Sequence, residues 1–172
     1  LICLVVDATA AQYPLTIDPL ATSAAWTAES NQDSARVGYC VASAGDVNGD
    51  GYSDVIVGAH TFDNGETDEG GVFVYFGSAS GLPGAASWTA ESNFAGAKLG
   101  FAVASAGDVN GDGYADIIAG APWYTGDHSS EGKVFVWYGS ASGLGPNGTP
   151  ANADWSAESH QADAALGHCV SS

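Results

Sequence analysis

Methionine is absent from the 172 residues, and positive charge nearly so: Arg36, Lys98 and Lys133 stand against 20 Asp and Glu, for a formal charge of −17. A chain this acidic has no basic face for a phosphate backbone or an anionic bilayer. Nucleic acid is thereby excluded as a partner, and membrane insertion is not expected. No Cys-x-x-Cys pair occurs, and the cysteines Cys3, Cys40 and Cys169 are odd in number. That argues against a zinc site or a redox motif built on cysteine. The apolar opening Leu1–Val6 is too short for a membrane span. It also lacks the basic stretch of a signal peptide, and it reads as a β-strand. No window sustains an apolar period of 3.6 residues, so long amphipathic helices are excluded. Gly-x-Ser-x-Gly, a Cys/His pair and a phosphate-binding Gly loop are all missing, so no enzyme activity is expected. The four histidines, His60, His128, His160 and His168, share no metal-ligand spacing and read as surface or packing residues.

What is present points to β structure. Glycine is abundant, at 24 residues. Val, Ile, Phe, Tyr and Trp supply the bulky apolar side chains, which suit a pleated, half-buried surface. The chain also repeats itself. Trp26-Thr27-Ala28-Glu29-Ser30 returns 62 residues later as Trp88-Thr89-Ala90-Glu91-Ser92, and again as Trp155-Ser156-Ala157-Glu158-Ser159. Phe73–Leu82 returns as Phe135–Leu144 at the same interval of 62. Each unit holds four short strand candidates, near Val37–Ser43, Asp54–Ala59, Gly71–Gly77 and Ser87–Glu91 in the first. Four antiparallel strands repeated in series describe propeller blades. Val72–Phe76 and Val134–Tyr138 are apolar on both faces, as strands sandwiched between blades would be.

Within each unit one stretch carries chemistry. Asp46-Val47-Asn48-Gly49-Asp50-Gly51-Tyr52-Ser53-Asp54 recurs as Asp108-Val109-Asn110-Gly111-Asp112-Gly113-Tyr114-Ala115-Asp116. Oxygen-bearing side chains fall at positions 1, 3, 5 and 9 of both stretches. Calcium takes roughly 6–8 hard oxygen ligands at about 2.3–2.6 Å, and alternate positions of a tight turn deliver them. The position-7 carbonyls of Tyr52 and Tyr114 are further candidates. Gly51 and Gly113 allow the positive φ such a curl needs. Three carboxylates crowded into one turn repel each other unless a cation offsets them. Two Ca²⁺ sites are therefore expected, with ligands Asp46, Asn48, Asp50, Tyr52 and Asp54, and Asp108, Asn110, Asp112, Tyr114 and Asp116. An EF-hand would need Glu at position 12, where Val57 and Ala119 stand. The apolar runs that follow read as strands, so each loop joins strand to strand. The acidic stretch Asp63–Glu69 and its counterpart Thr125–Glu131 read as solvated turns, with a weak further calcium site as the less favoured reading.

The pattern Gly-Asp-Val-Asn-Gly-Asp-Gly-Tyr-x-Asp, followed by Gly58-Ala59 or Gly120-Ala121-Pro122, resembles the FG-GAP repeat. That repeat is the blade of integrin α-subunit propellers and of many bacterial surface proteins. The FG element is represented by Val37-Gly38, Leu99-Gly100 and Leu166-Gly167, and His60 replaces the proline of GAP in the first unit. The resemblance implies an all-β chain: FG-GAP blades over 21–172, in units of about 26–87, 88–154 and an incomplete 155–172, after a segment 1–20 that is a strand or the end of a preceding domain. It also implies calcium in the hairpin between the first and second strands of each blade. Family propellers close with about seven blades, and this chain supplies two and part of a third. Continuation into a longer propeller, or self-association, is therefore expected. The function implied is a non-enzymatic, secreted or cell-surface module for adhesion or structural assembly, with an extracellular protein or glycan as ligand. The alternatives are a self-assembling filament, tube or sheath subunit and an accessory propeller of a secreted hydrolase. Cys40 and Cys169 occupy equivalent positions far apart, so they are not expected to pair with each other. They are either links between chains or small buried hydrophobes.

Overall fold

A computed structural model describes residues 24–172; the segment 1–20, including the expected strand at Leu1–Val6, lies outside the described residues. The rest is all-β. Eight strands run in order: β1 Cys40–Gly45, β2 Asp54–Ala59, β3 Gly71–Tyr75, β4 Trp88–Glu91, β5 Ala102–Gly107, β6 Asp116–Ala121, β7 Lys133–Trp137 and β8 Trp155–Glu158. They form two four-stranded sheets, β1-β2-β3-β4 and β5-β6-β7-β8, every pairing antiparallel. These are two blades of a β-propeller. Registers correspond: Cys40 faces Gly58 as Ala102 faces Gly120, and a bulge precedes Gly45 as one precedes Gly107.

The first strand begins three residues later than its sequence suggests. Arg36 and Gly38 take φ of 56° and 83°, and the Tyr39 N–H donates to the Arg36 carbonyl at 3.1 Å, so Val37-Gly38 sits in a turn. β3 stops at Tyr75 because the Phe76 and Gly77 N–H groups bond side chains, Ser87 Oγ at 3.0 Å and Asp54 Oδ1 at 2.7 Å.

The blades stack through apolar faces. Trp88, Phe135 and Trp137 are buried, with the Trp88 and Trp137 rings edge to face at 5.3 Å. Trp26 meets Tyr75 of blade one in the same way, at 4.8 Å. Trp26 and Trp88 thus pack against the strands of a blade, whereas the third copy, Trp155, is half exposed.

The glycines of the repeat motif make the close approach possible. A Cβ on Gly58 would fall 2.0 Å from the Gly100 carbonyl oxygen, and a Cβ on Gly120 would fall 2.0 Å from that of Gly167. The Gly before the first strand of one unit therefore presses on the Gly ending the second strand of the unit before. Leu99 and Leu166 dock likewise, their N–H groups donating to the carbonyls of Glu69 and Glu131 at 3.0 and 3.2 Å. The stretch 163–168 thus lies on blade two as 96–101 lies on blade one.

Candidate metal centre

The two acidic stretches connect β1 to β2 and β5 to β6, and they share most of their hydrogen bonds, the second adding one from Gly111 N–H to Asp108 Oδ1 at 2.8 Å. In the first, Asp46 Oδ1 and Oδ2 accept the N–H groups of Asp50 and Gly51 at 3.1 and 2.9 Å. Asn48 Oδ1 accepts from Asp50 N–H at 3.1 Å, and Asp50 Oδ1 accepts from Tyr52 N–H at 2.9 Å. In the second, Asp108 accepts from Asp112 and Gly113 N–H at 3.0 and 2.9 Å, Asn110 from Asp112 at 3.0 Å, and Asp112 from Tyr114 at 3.0 Å. Gly49, Gly51, Gly111 and Gly113 all take positive φ, between 72° and 93°. The side-chain oxygens at positions 1, 3 and 5 are thereby fixed along the inner edge of the turn, each with lone pairs to spare.

The ninth residue is different. Asp54 and Asp116 are fully buried. Asp54 bridges Val47 N–H (2.9 Å) and Gly77 N–H (2.7 Å), tying the loop to the end of β3. Asp116 does the same with Val109 and Gly139, at 2.8 and 2.9 Å. Burial pushes the Asp54 carboxyl above its usual range; the Gly77 and Val47 amides pull it back, and the negative charges of Asp50 and Asp46 push it up again. A buried carboxylate facing two more without a counter-charge is the electrostatic setting a divalent cation relieves. The donor set, all oxygen with carboxylates at positions 1, 5 and 9, fits calcium. The three carboxylates of a loop are not gathered with one oxygen each inside 4.8 Å, whereas Glu131, Glu158 and His160 are.

The loops share one face and touch. A Cβ on Gly49 would come 2.5 Å from Tyr114 Cε1. The Ala115 N–H donates to the Asp46 carbonyl at 3.0 Å, and the Ser140 N–H donates to the Val47 carbonyl at 3.1 Å. The loop of blade one therefore rests on the loop of blade two.

The solvated-turn reading of Asp63–Glu69 and Thr125–Glu131 fails at their last residues. Glu69 and Glu131 are fully buried, because their carboxylates accept the turns' own N–H groups: Asn64 at 2.7 Å for Glu69 and Gly126 at 2.9 Å for Glu131. Burial pushes the Glu131 carboxyl up, but the amides of His128, Gly126 and Asp127 and the His128 ring hold it below its ordinary value. Of the histidines, His60 is buried against Tyr39 and Phe101, and His168 packs on Phe101. His160, by contrast, joins Glu131 and Glu158. Cys40 and Cys169 both carry free thiols, and Cys40 Sγ lies between the blades, 3.4 Å from the Val103 amide nitrogen.

Fold and loops together define a blade-repeat protein of the propeller class. A family model described as FG-GAP repeat matches residues 41–75 and 99–137. The chain thus carries FG-GAP repeats over these residues, and it is similar to integrin α chains. It is 40% identical over 112 residues to integrin alpha-6 of Gallus gallus, covering 62% of this chain and 9% of that protein. It is 38% identical over 112 residues to the Homo sapiens alpha-6 chain, with the same 62% and 9% shares. Against integrin alpha-PS2 of Drosophila melanogaster it is 37% identical over 123 residues, 66% of this chain and 8% of that one. The chain spans less than a tenth of the length of these relatives. Among the described residues, no helix is long and apolar enough to cross a membrane.

Proposed function

We propose that the chain is a non-enzymatic, calcium-stiffened propeller module that works at the cell surface or outside the cell, in adhesion or surface architecture. The observation that carries this reading is the pair of acidic loops with matching hydrogen bonds, stacked on one face of two blades. Asp46, Asn48, Asp50, Asp54 and the Tyr52 carbonyl would hold one ion; Asp108, Asn110, Asp112, Asp116 and the Tyr114 carbonyl would hold the other. Bound Ca²⁺ supplies the positive charge that offsets each carboxylate group. The protein does the rest. Asp54 and Asp116 couple loop to strand, and the Ala115–Asp46 and Ser140–Val47 bonds carry that rigidity from blade to blade. A stiff, acidic loop face of this kind suits recognition of an extracellular protein or glycan. Calorimetric titration of the chelated chain with Ca²⁺ tests this: two ions should bind per chain, and one in either Asp50→Ala or Asp112→Ala. No saturable uptake would refute it.

A second reading concerns what covers blade two. Val47 and Trp88 of blade one are buried under blade two, but their counterparts Val109 and Trp155 are 56% and 50% exposed. With Ile118, Val136 and Tyr138 they border an apolar cleft. That face is shaped for a following blade, supplied by a longer propeller or by a second copy of the chain. In the latter case the module is a subunit of a filament, tube or sheath.

A further inference from the structure

The outer end of blade two departs from blade one in a way that leaves a second kind of metal site. In blade one, Glu69 is fully engaged: Oε1 accepts from Asn64 and Glu66 N–H at 2.7 and 3.2 Å, and Oε2 accepts from Asn93 N–H at 3.0 Å. The Asn64 side-chain amide then donates to Glu91. Every carboxylate there has a neutral donor. Blade two replaces Asn64 with Gly126 and Asn93 with His160. Glu131 Oε1 keeps the Gly126 N–H, but the buried Oε2 makes no hydrogen bond, with the His128 ring as its polar neighbour, Nδ1 at 3.5 Å. The amide that bonded Glu91 has no counterpart beside Glu158. In the space it would fill, a Cβ on Gly126 falls 2.5 Å from Glu131 Oε1 and 3.1 Å from Glu158 Oε2.

We propose that this corner binds a divalent transition ion of the zinc type through Glu131, Glu158 and His160. One ligand atom from each lies within 4.8 Å of the other two. A buried carboxylate oxygen without a hydrogen bond gains from a positive neighbour, which the half-exposed His128 ring supplies only when protonated and only at 3.5 Å. The ligand types choose the ion: an imidazole with carboxylates suits zinc and its neighbours, whereas calcium takes oxygen. Lys133 holds Glu158 Oε1 at 2.5 Å, which leaves Oε2 to face the site. His128 stands at the rim, its Nδ1 3.5 Å from Glu131 Oε2 on a half-exposed ring. His160 is exposed, so the fourth position opens to water, as zinc with three protein ligands commonly has it. The ion would join the turn before β7, the end of β8 and the stretch leading to 163–168. It would thus pin the start of the third unit to blade two. The site does not depend on the calcium loops.

The test is calorimetric titration of the full chain with Zn²⁺, in buffer that also holds calcium. One Zn²⁺ should bind per chain. Gly126→Asn and His160→Asn each install the residue blade one uses, and His160 (φ 55°) already has the backbone conformation of Asn93 (φ 53°). Each should weaken zinc at least about tenfold, and His168→Ala should leave it unchanged. Circular dichroism of both variants like that of the parent chain would show that the fold is kept. Absence of saturable zinc uptake, or uptake unchanged in both folded variants, would overturn the proposal.

Discussion

At the scale of single residues, the loop carboxylates divide by role. Asp50 and Asp112 face the turn's interior and bond only loop groups, whereas Asp54 and Asp116 also fasten the loop to the strand beyond β2 or β6. Asp50→Ala should therefore cost about 2–3 kcal/mol in millimolar calcium, the linkage of a site filled roughly a hundredfold above its Kd, and little in chelator. Asp54→Asn should destabilise in both buffers, by about 1–3 kcal/mol, because it leaves a buried N–H without its acceptor. Denaturant unfolding of the variants, with and without chelator, separates the two. His60 gives a pH signature. Burial, Arg36 and Lys98 lower its folded pKa below the ordinary value, with Asp68 opposing. Its neutral form is thus favoured in the folded chain. Its contribution to stability is full above about pH 6.5, the unfolded value, and is lost as pH falls from there through the lowered folded pKa. His60→Leu should flatten that slope in unfolding midpoints measured between pH 7 and pH 5.

At the scale of elements, the loops and strands were legible because their residues are local. Oxygen-bearing side chains and glycines alternating within nine residues name a tight turn, and Val55-Ile56-Val57 names the strand after it. The start of β1 was not legible: Arg36 takes a left-handed backbone, unusual for its type, because tertiary contacts fix the turn. The Glu131, Glu158 and His160 cluster was hidden because its members are scattered over thirty positions. Only the exchanges Asn64 to Gly126 and Asn93 to His160 between repeats mark it. The glycines of the motif test the interblade geometry. Gly58→Ala drives a Cβ into the Gly100 backbone, and should cost about 3 kcal/mol or part the blades. Gly38→Ala meets no atom within 4 Å and bears only its positive φ, so it should cost about 1 kcal/mol. Chemical denaturation that ranks them in reverse would refute the close-approach account.

At the scale of the molecule, two blades bury Trp88 between them and leave Trp155 and Val109 uncovered. If a second copy of the chain, rather than a following blade, covers this face, it is an association surface. Light scattering should show mass rising with concentration, and Trp155→Ser should lower that tendency without moving the unfolding midpoint much, since its ring is half in water. Trp88→Ala should instead cost about 3–5 kcal/mol, the usual loss for a buried tryptophan.

The most direct measurement is the thermal unfolding midpoint of the chain in millimolar calcium and in excess chelator, beside the Asp50→Ala/Asp112→Ala double variant. Chelation should lower the parent midpoint by about 5 °C or more, given roughly 2–4 °C per kcal/mol at this chain length. The double variant should melt at the lower temperature in both buffers. A parent chain that melts at one temperature with and without calcium would contradict the account.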